Sequence, residues 1–197
     1  MNDRKIKWVF IGLPAVLLIM IGAAWGIYKI KSSNAGIPIY GAVTQFEFTE
    51  RNAERFGSNE LSGKISIVNF FFTACEGPCP RMNAQVAELY THFSAEADVQ
   101  FISISVDPDR DSLQALRDYA IRFGVNDRRW LFLSAPLEEV KSLSENVFML
   151  AGGDMPSLHS TKLILVDEQK NIRGYYSSDD PKDLRLLKKH ISVLVED

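Results

Sequence analysis

The chain of 197 residues holds two cysteines, and they stand close together in Cys75-Glu76-Gly77-Pro78-Cys79. Thiols at this separation support two kinds of chemistry. One thiolate can attack a disulfide and the other can displace it from the mixed intermediate, or both can ligate one soft metal ion. Thioredoxin-type redox motifs place two residues between the cysteines, whereas three stand between them here. The wider bite suits two sulfurs reaching around a metal, and it still permits a disulfide. As a staple for the fold the pair is a poor fit. The entropy removed by closing a loop grows with loop length, and a domain of roughly 160 residues builds a core without such help.

The elements around the pair come from the hydrophobic pattern. Lys64 to Thr73 (KISIVNFFFT) is a run of β-branched and aromatic residues, expected as a central strand buried on both faces, and it leads directly to Cys75. Pro80 to Phe93 sets Met82, Val86, Leu89, Tyr90 and Phe93 at helical spacing, with Pro80 in the first turn. The cysteines thus fall in a strand-to-helix turn, where the positive helix end is expected to lower the pKa of Cys79. Further along, strands are expected over Val99–Val106, Trp130–Leu133, Thr161–Val166 and Ile172–Tyr176. Helices are expected over Ser112–Phe123, capped by Ser112 or Asp111, over Leu137–Phe148 and over Pro181–Val195. This order implies an α/β, thioredoxin-like fold: a central mixed sheet flanked by helices.

That fold narrows the search for a third ligand among the three histidines. His92 lies at the far end of the cysteine helix and His190 in the last helix, both expected at the surface. His159 follows the loop Gly152-Gly153-Asp154-Met155-Pro156 and precedes the Thr161 strand. In a thioredoxin-like sheet the loop entering that strand faces the cysteine turn. Two thiolates with one imidazole suit copper in either oxidation state, and zinc accepts the same donors.

The N-terminus is different in kind. Trp8 to Tyr28 carries no charge, and about 21 helical residues span a hydrocarbon core. Arg4, Lys5 and Lys7 precede it, which keeps the tail cytoplasmic and exports the rest. The alternative is a cleaved signal peptide, with Ser33 and Ala35 before Gly36; either reading exports the domain. The expected organisation is a tail and transmembrane helix over residues 1–31, a linker over 32–42 and one domain over 43–197. The expected location is a bacterial inner membrane, single-pass, with the domain facing the periplasm or cell exterior. A net charge of -3, with both signs mixed along the chain, leaves no basic face for nucleic acid.

Three blocks together, FFFTACEGPCPRM, ISISVDPDRDS and HSTKLILVDEQKNIRGYY, resemble the Sco/SenC family of membrane-anchored, thioredoxin-like copper proteins. The resemblance covers roughly Phe46 to the C-terminus, plus the anchor. It implies a copper chaperone that helps assemble the dinuclear copper centre of cytochrome c oxidase, with Cys75, Cys79 and His159 as the copper ligands. It also gives Asp107 a role in partner contact or tuning, beside the alternative of a turn residue capping the next helix. The chain departs from the family where Leu158 replaces the Asp that many members have before the histidine, and in the loop with Gly152, Gly153 and Met155.

The acceptor is then a cytochrome c oxidase subunit or another exported copper protein. A second role within the family is thiol-disulfide oxidoreductase, in which Cys75 and Cys79 reduce the acceptor's own cysteines. His159 separates the two, because dithiol exchange does not need it. A peroxidase on the same fold would need Thr and Arg partners around one thiol, of which the sequence shows no sign.

Overall fold

The computed structural model describes residues 36–150 and 160–196, together with Ile19, Met20 and Gly22. Apart from those three, the apolar run from Trp8 to Tyr28 lies outside the described residues. Among the described residues no helix is long and apolar enough to cross a membrane. Ile37–Glu196 form one compact unit.

Within that unit the described strands are β1 (Gly41–Ala42), β2 (Glu47–Glu50), β3 (Arg55–Gly57), β4 (Ile65–Phe71), β5 (Val99–Ser105), β6 (Trp130–Ser134), β7 (Lys162–Val166) and β8 (Asn171–Ser177). They form one sheet in the order β1-β8-β7-β4-β5-β6-β2-β3. β4, β5 and β6 run parallel, and the remaining pairings are antiparallel. The helices are α1 (Cys79–His92), α2 (Leu113–Arg122), α3 (Leu137–Ser142) and α4 (Pro181–Val195).

β4 is central because both of its faces are covered. Ile65, Ile67 and Phe71 point to a cluster with Met82, Val86 and Leu89 of α1, Leu116 and Tyr119 of α2, and Leu187 and Ile191 of α4. Val68 and Phe70 point the other way, toward Val140, Leu143 and Phe148. The period-two alternation of a strand sorts one continuous apolar run onto two cores. Each large side chain buried this way stabilises the fold by about 1.5–3 kcal/mol.

The helix ends follow from local chemistry. The Ser112 hydroxyl accepts from the Ala115 amide at 3.2 Å, which makes Ser112 the cap of α2. Gly124 closes that helix with φ +71, a left-handed conformation suited to glycine.

The helix expected over Leu137–Phe148 is shorter than its pattern. α3 stops at Ser142, and Leu143–Val147 wind as a wider π turn closed by Phe148 N–H donating to the Leu143 carbonyl at 3.0 Å. The wider turn lets Leu143 and Phe148 both reach the core, where Phe148 meets Phe70 edge-on at 5.9 Å.

Residues 37–42, expected in the linker, pack with the domain. Ile37 is buried, Gly41 and Ala42 pair with β8, and the buried Arg173 guanidinium donates to the carbonyls of Ile37 (2.7 Å) and Pro38 (3.3 Å). Asp167 balances that guanidinium at 2.8 Å.

Candidate metal centre

β4 ends at Phe71, and the chain makes a short loop before α1 begins at Cys79. The Cys75 amide donates to the Phe72 carbonyl at 3.3 Å, which folds the loop back on the strand end. Pro78 occupies the cap position of α1 and Pro80 lies in its first turn, where a missing N–H costs nothing. Cys75 is half-buried and Cys79 fully buried, neither is in a disulfide, and the Cys75 side chain is near enough to help push the Cys79 thiol up. Two soft donors this close can bite one thiophilic ion without rebuilding the loop.

The helix end was expected to lower the pKa of Cys79, and burial overrides it. Desolvation is the largest influence on this thiol. The Phe72 backbone favours the thiolate, but Cys75 and Asp111 add to the upward push, and the net effect carries Cys79 up to about 12. Arg81 gives no counterweight: it is 77% exposed and lies 3.8 Å from Asp179.

Beneath the loop lies polar structure inside the core. Asn69 donates to the Asn83 carbonyl oxygen at 2.9 Å, and Asn83 donates to the Tyr119 hydroxyl at 3.0 Å. Ser103 donates to Asn69 at 2.8 Å and itself accepts from the Trp130 indole at 3.0 Å. This chain links β4, β5, β6, α1 and α2 behind the cysteines. Burial pushes the Tyr119 phenol up to about 12, and both cysteines add to the effect.

Asp111 is the second polar anchor. Its buried carboxylate accepts from the Thr73 hydroxyl at 2.5 Å, the Thr73 amide at 3.2 Å and the Ser105 hydroxyl at 2.5 Å. Asp107 sits in the turn leading to it. The Asp107 amide donates to the Ser105 hydroxyl at 3.1 Å, its carbonyl accepts from the amides of Arg110 and Asp111, and its carboxylate lies 2.5 Å from Arg110 Nε.

Among the described residues no group of three Cys, His, Asp or Glu stands ready for a metal ion. His159, Leu158, Gly152, Gly153 and Met155 lie outside the described residues. His92 is exposed, as expected. His190 is half-buried rather than fully exposed: its Nδ1 lies 2.6 Å from the Tyr176 hydroxyl, which it meets from α4.

Asn69, Asn83, Tyr119 and Asp111 were not singled out as site residues from the sequence. Asn69 had a signal, as the polar interruption of an apolar strand. Asp111 looked like a helix cap, and only the strand neighbours show its larger part.

Residues 40–194 match the SCO1/SenC family model. The SCO1 protein homolog of Bacillus subtilis (strain 168) is 29% identical over 171 residues, covering 83% of this chain and 86% of that protein. A SCO1/SenC family lipoprotein from Bacillus anthracis str. Ames superposes with TM-score 0.72 at 29% identity, over 80% of this chain and 96% of that one. The copper-bound ScoI of Arabidopsis thaliana shares the fold, with TM-score 0.65 at 23% identity, over 77% of this chain and 99% of that one. The sheet, the cysteine turn and these matches agree, and the chain belongs to the SCO1/SenC family.

Proposed function

We propose that this chain is a copper chaperone: Cys75, Cys79 and His159 hold one copper ion and hand it to the copper centre of cytochrome c oxidase or to another exported copper protein. The observation that carries the reading is the placement of two reduced thiols in one strand-to-helix turn at the start of α1, one half-exposed and one buried. Two thiolates retain a soft cation, while the exposed side of Cys75 lets an acceptor thiol replace one ligand at a time.

Register supports the histidine. β4 and β7 pair antiparallel with Val68 opposite Ile164 and Ile67 opposite Leu165, so β7 begins beside the end of β4 that feeds the cysteine loop. His159 precedes β7 by a few residues in sequence. The uncharged run from Trp8 to Tyr28 anchors the protein in a bacterial inner membrane under this reading, with the domain facing the periplasm or cell exterior.

A second reading, thiol-disulfide oxidoreductase, is favoured by the same asymmetry. An accessible Cys75 would attack an acceptor disulfide, and a shielded Cys79 would resolve the mixed disulfide. The test is a paired assay of the reduced full-length protein and His159→Ala. The chaperone reading expects the variant to lose copper affinity by more than about tenfold, the loss that follows even from removing a ligand's supporting hydrogen-bond partner, while its dithiol exchange rate stays near wild type. Equal copper binding by both proteins overturns the assignment of His159. Absence of copper binding by wild type overturns the chaperone reading and leaves the reductase.

A further inference from the structure

The carboxylate of Asp111 is 1% exposed, yet among the described residues all of its hydrogen-bond partners are neutral donors. Both oxygens accept, one from the Thr73 hydroxyl and the other from the Ser105 hydroxyl, which is the pattern an ionised carboxylate satisfies. Arg110, a neighbour in sequence, pairs with Asp107 instead. A buried negative charge held by neutral groups is costly, so its place in the fold calls for a reason.

That place is the root of the metal loop. Thr73 stands two residues before Cys75, and Asp111 fixes it through both backbone and side chain. Ser105 ends β5, whose register sets it opposite Phe71, the last residue of β4. One carboxylate therefore ties the ends of two central strands to the segment that carries the first cysteine.

We propose that Asp111 is a positioning residue of the copper site, which pins the root of the cysteine loop and biases the bound ion toward Cu(II) over Cu(I). The proposal rests on the copper reading above. Two thiolates and a neutral imidazole balance Cu(II), and one added electron leaves Cu(I) in a site of net charge -1. A fixed negative charge close by disfavours that reduced state. Thr73 and Ser105 are the donors that keep the carboxylate in place.

The test compares full-length wild type, Asp111→Asn and Asp111→Glu, each titrated separately with Cu(I) under anaerobic competition with a chelator and with Cu(II). Asp111→Asn removes the charge at nearly constant volume, and the ratio of Cu(I) to Cu(II) affinity is expected to rise about tenfold, the scale of one charge acting through a partly screened interior. Asp111→Glu keeps the charge and is expected to hold the ratio within about twofold of wild type on that same scale.

A merely structural role would weaken both oxidation states together, and an unchanged ratio in Asp111→Asn overturns the proposal. If Asp111→Asn does not fold, Ser105→Ala decides, because it removes one of the donors that hold the carboxylate: a ratio equal to wild type overturns the proposal, and a shifted ratio supports it. Wild type that binds neither ion contradicts the copper reading itself and removes the proposal with it, a result distinct from an unchanged ratio.

Discussion

The side-chain amide of Asn83 donates to the phenol oxygen of Tyr119 at 3.0 Å, joining α1 to α2 one helical turn beyond Cys79. Asn83 also accepts from Asn69 at 2.9 Å, so it is the middle of a buried polar chain that runs on through Ser103 to Trp130. The chain fixes the azimuth of α1 against the sheet, which in turn sets where Cys79 points.

Replacing Asn83 with Leu leaves the Asn69 amide without its partner in a dry core. The expected loss is about 2–4 kcal/mol of unfolding free energy, the range for a stranded buried polar group plus a broken network. Urea unfolding of wild type and variant measures it. A loss below about 0.5 kcal/mol, the range of ordinary surface substitutions, would mean that the network adds nothing to stability.

The central elements were legible because their patterns are long. Ile65–Phe71 as β4 and Pro181–Val195 as α4 follow directly from runs of apolar residues and from Pro181 in a first turn. The short strands β1, β2 and β3 were not foreseen, since strands of two to four residues are too short to show a period. The placement of Cys75 and Cys79 in one strand-to-helix turn could be read from the strand run before them and the helical spacing after them. Asp111 could not, because its partners are Thr73, in the loop after β4, and Ser105, at the end of β5, and only sheet register brings those strand ends together. The upward shift of Cys79 was hidden for a similar reason: a helix end is visible in sequence, and depth of burial is not.

Arg173 links the segment entering the domain to the far edge of the sheet. Its guanidinium is 1% exposed and its partner Asp167 carboxylate 3%, with the Ile37 carbonyl as a further acceptor. Arg173→Met strands a buried carboxylate and is expected to cost about 3–5 kcal/mol. The double change Arg173→Met with Asp167→Asn is expected to recover part of that loss, because the charge it would otherwise bury alone is gone. Denaturation of the single and double variants provides the check, and no recovery in the double variant would contradict the electrostatic account.

His190 gives the fold a signed response to acid. Desolvation, then Lys189 and Arg173, lower its pKa below the ordinary 6.5. The folded state therefore favours neutral imidazole. Its contribution to stability is present above 6.5 and is lost as pH falls through the lowered folded value. Thermal melts between roughly pH 7 and 5 are expected to show a steeper decline in wild type than in His190→Gln, which cannot titrate. Parallel declines in the two proteins would assign the acid sensitivity to other groups.

Copper uptake is expected to release protons. The Cys79 thiol, held up to about 12 mainly by burial, is protonated at neutral pH and must lose its proton to ligate. Apparent affinity is expected to rise about tenfold per pH unit for each proton displaced. The same shift stabilises the metal-free fold below the ordinary thiol value of 9.0, and that contribution is lost as pH rises toward about 12. Copper titrations in weakly buffered solution from about pH 6 to 8 report the proton count directly, and pH-independent affinity would show that the sulfurs do not bind as thiolates.

The most direct measurement of the copper account is X-ray absorption at the copper edge on the reduced full-length protein after anaerobic loading with one equivalent of the ion. The account expects one copper per chain with two sulfur scatterers from Cys75 and Cys79 and a nitrogen scatterer that disappears in His159→Ala. A copper environment of oxygen and nitrogen alone, or a nitrogen signal that survives the variant, would contradict it.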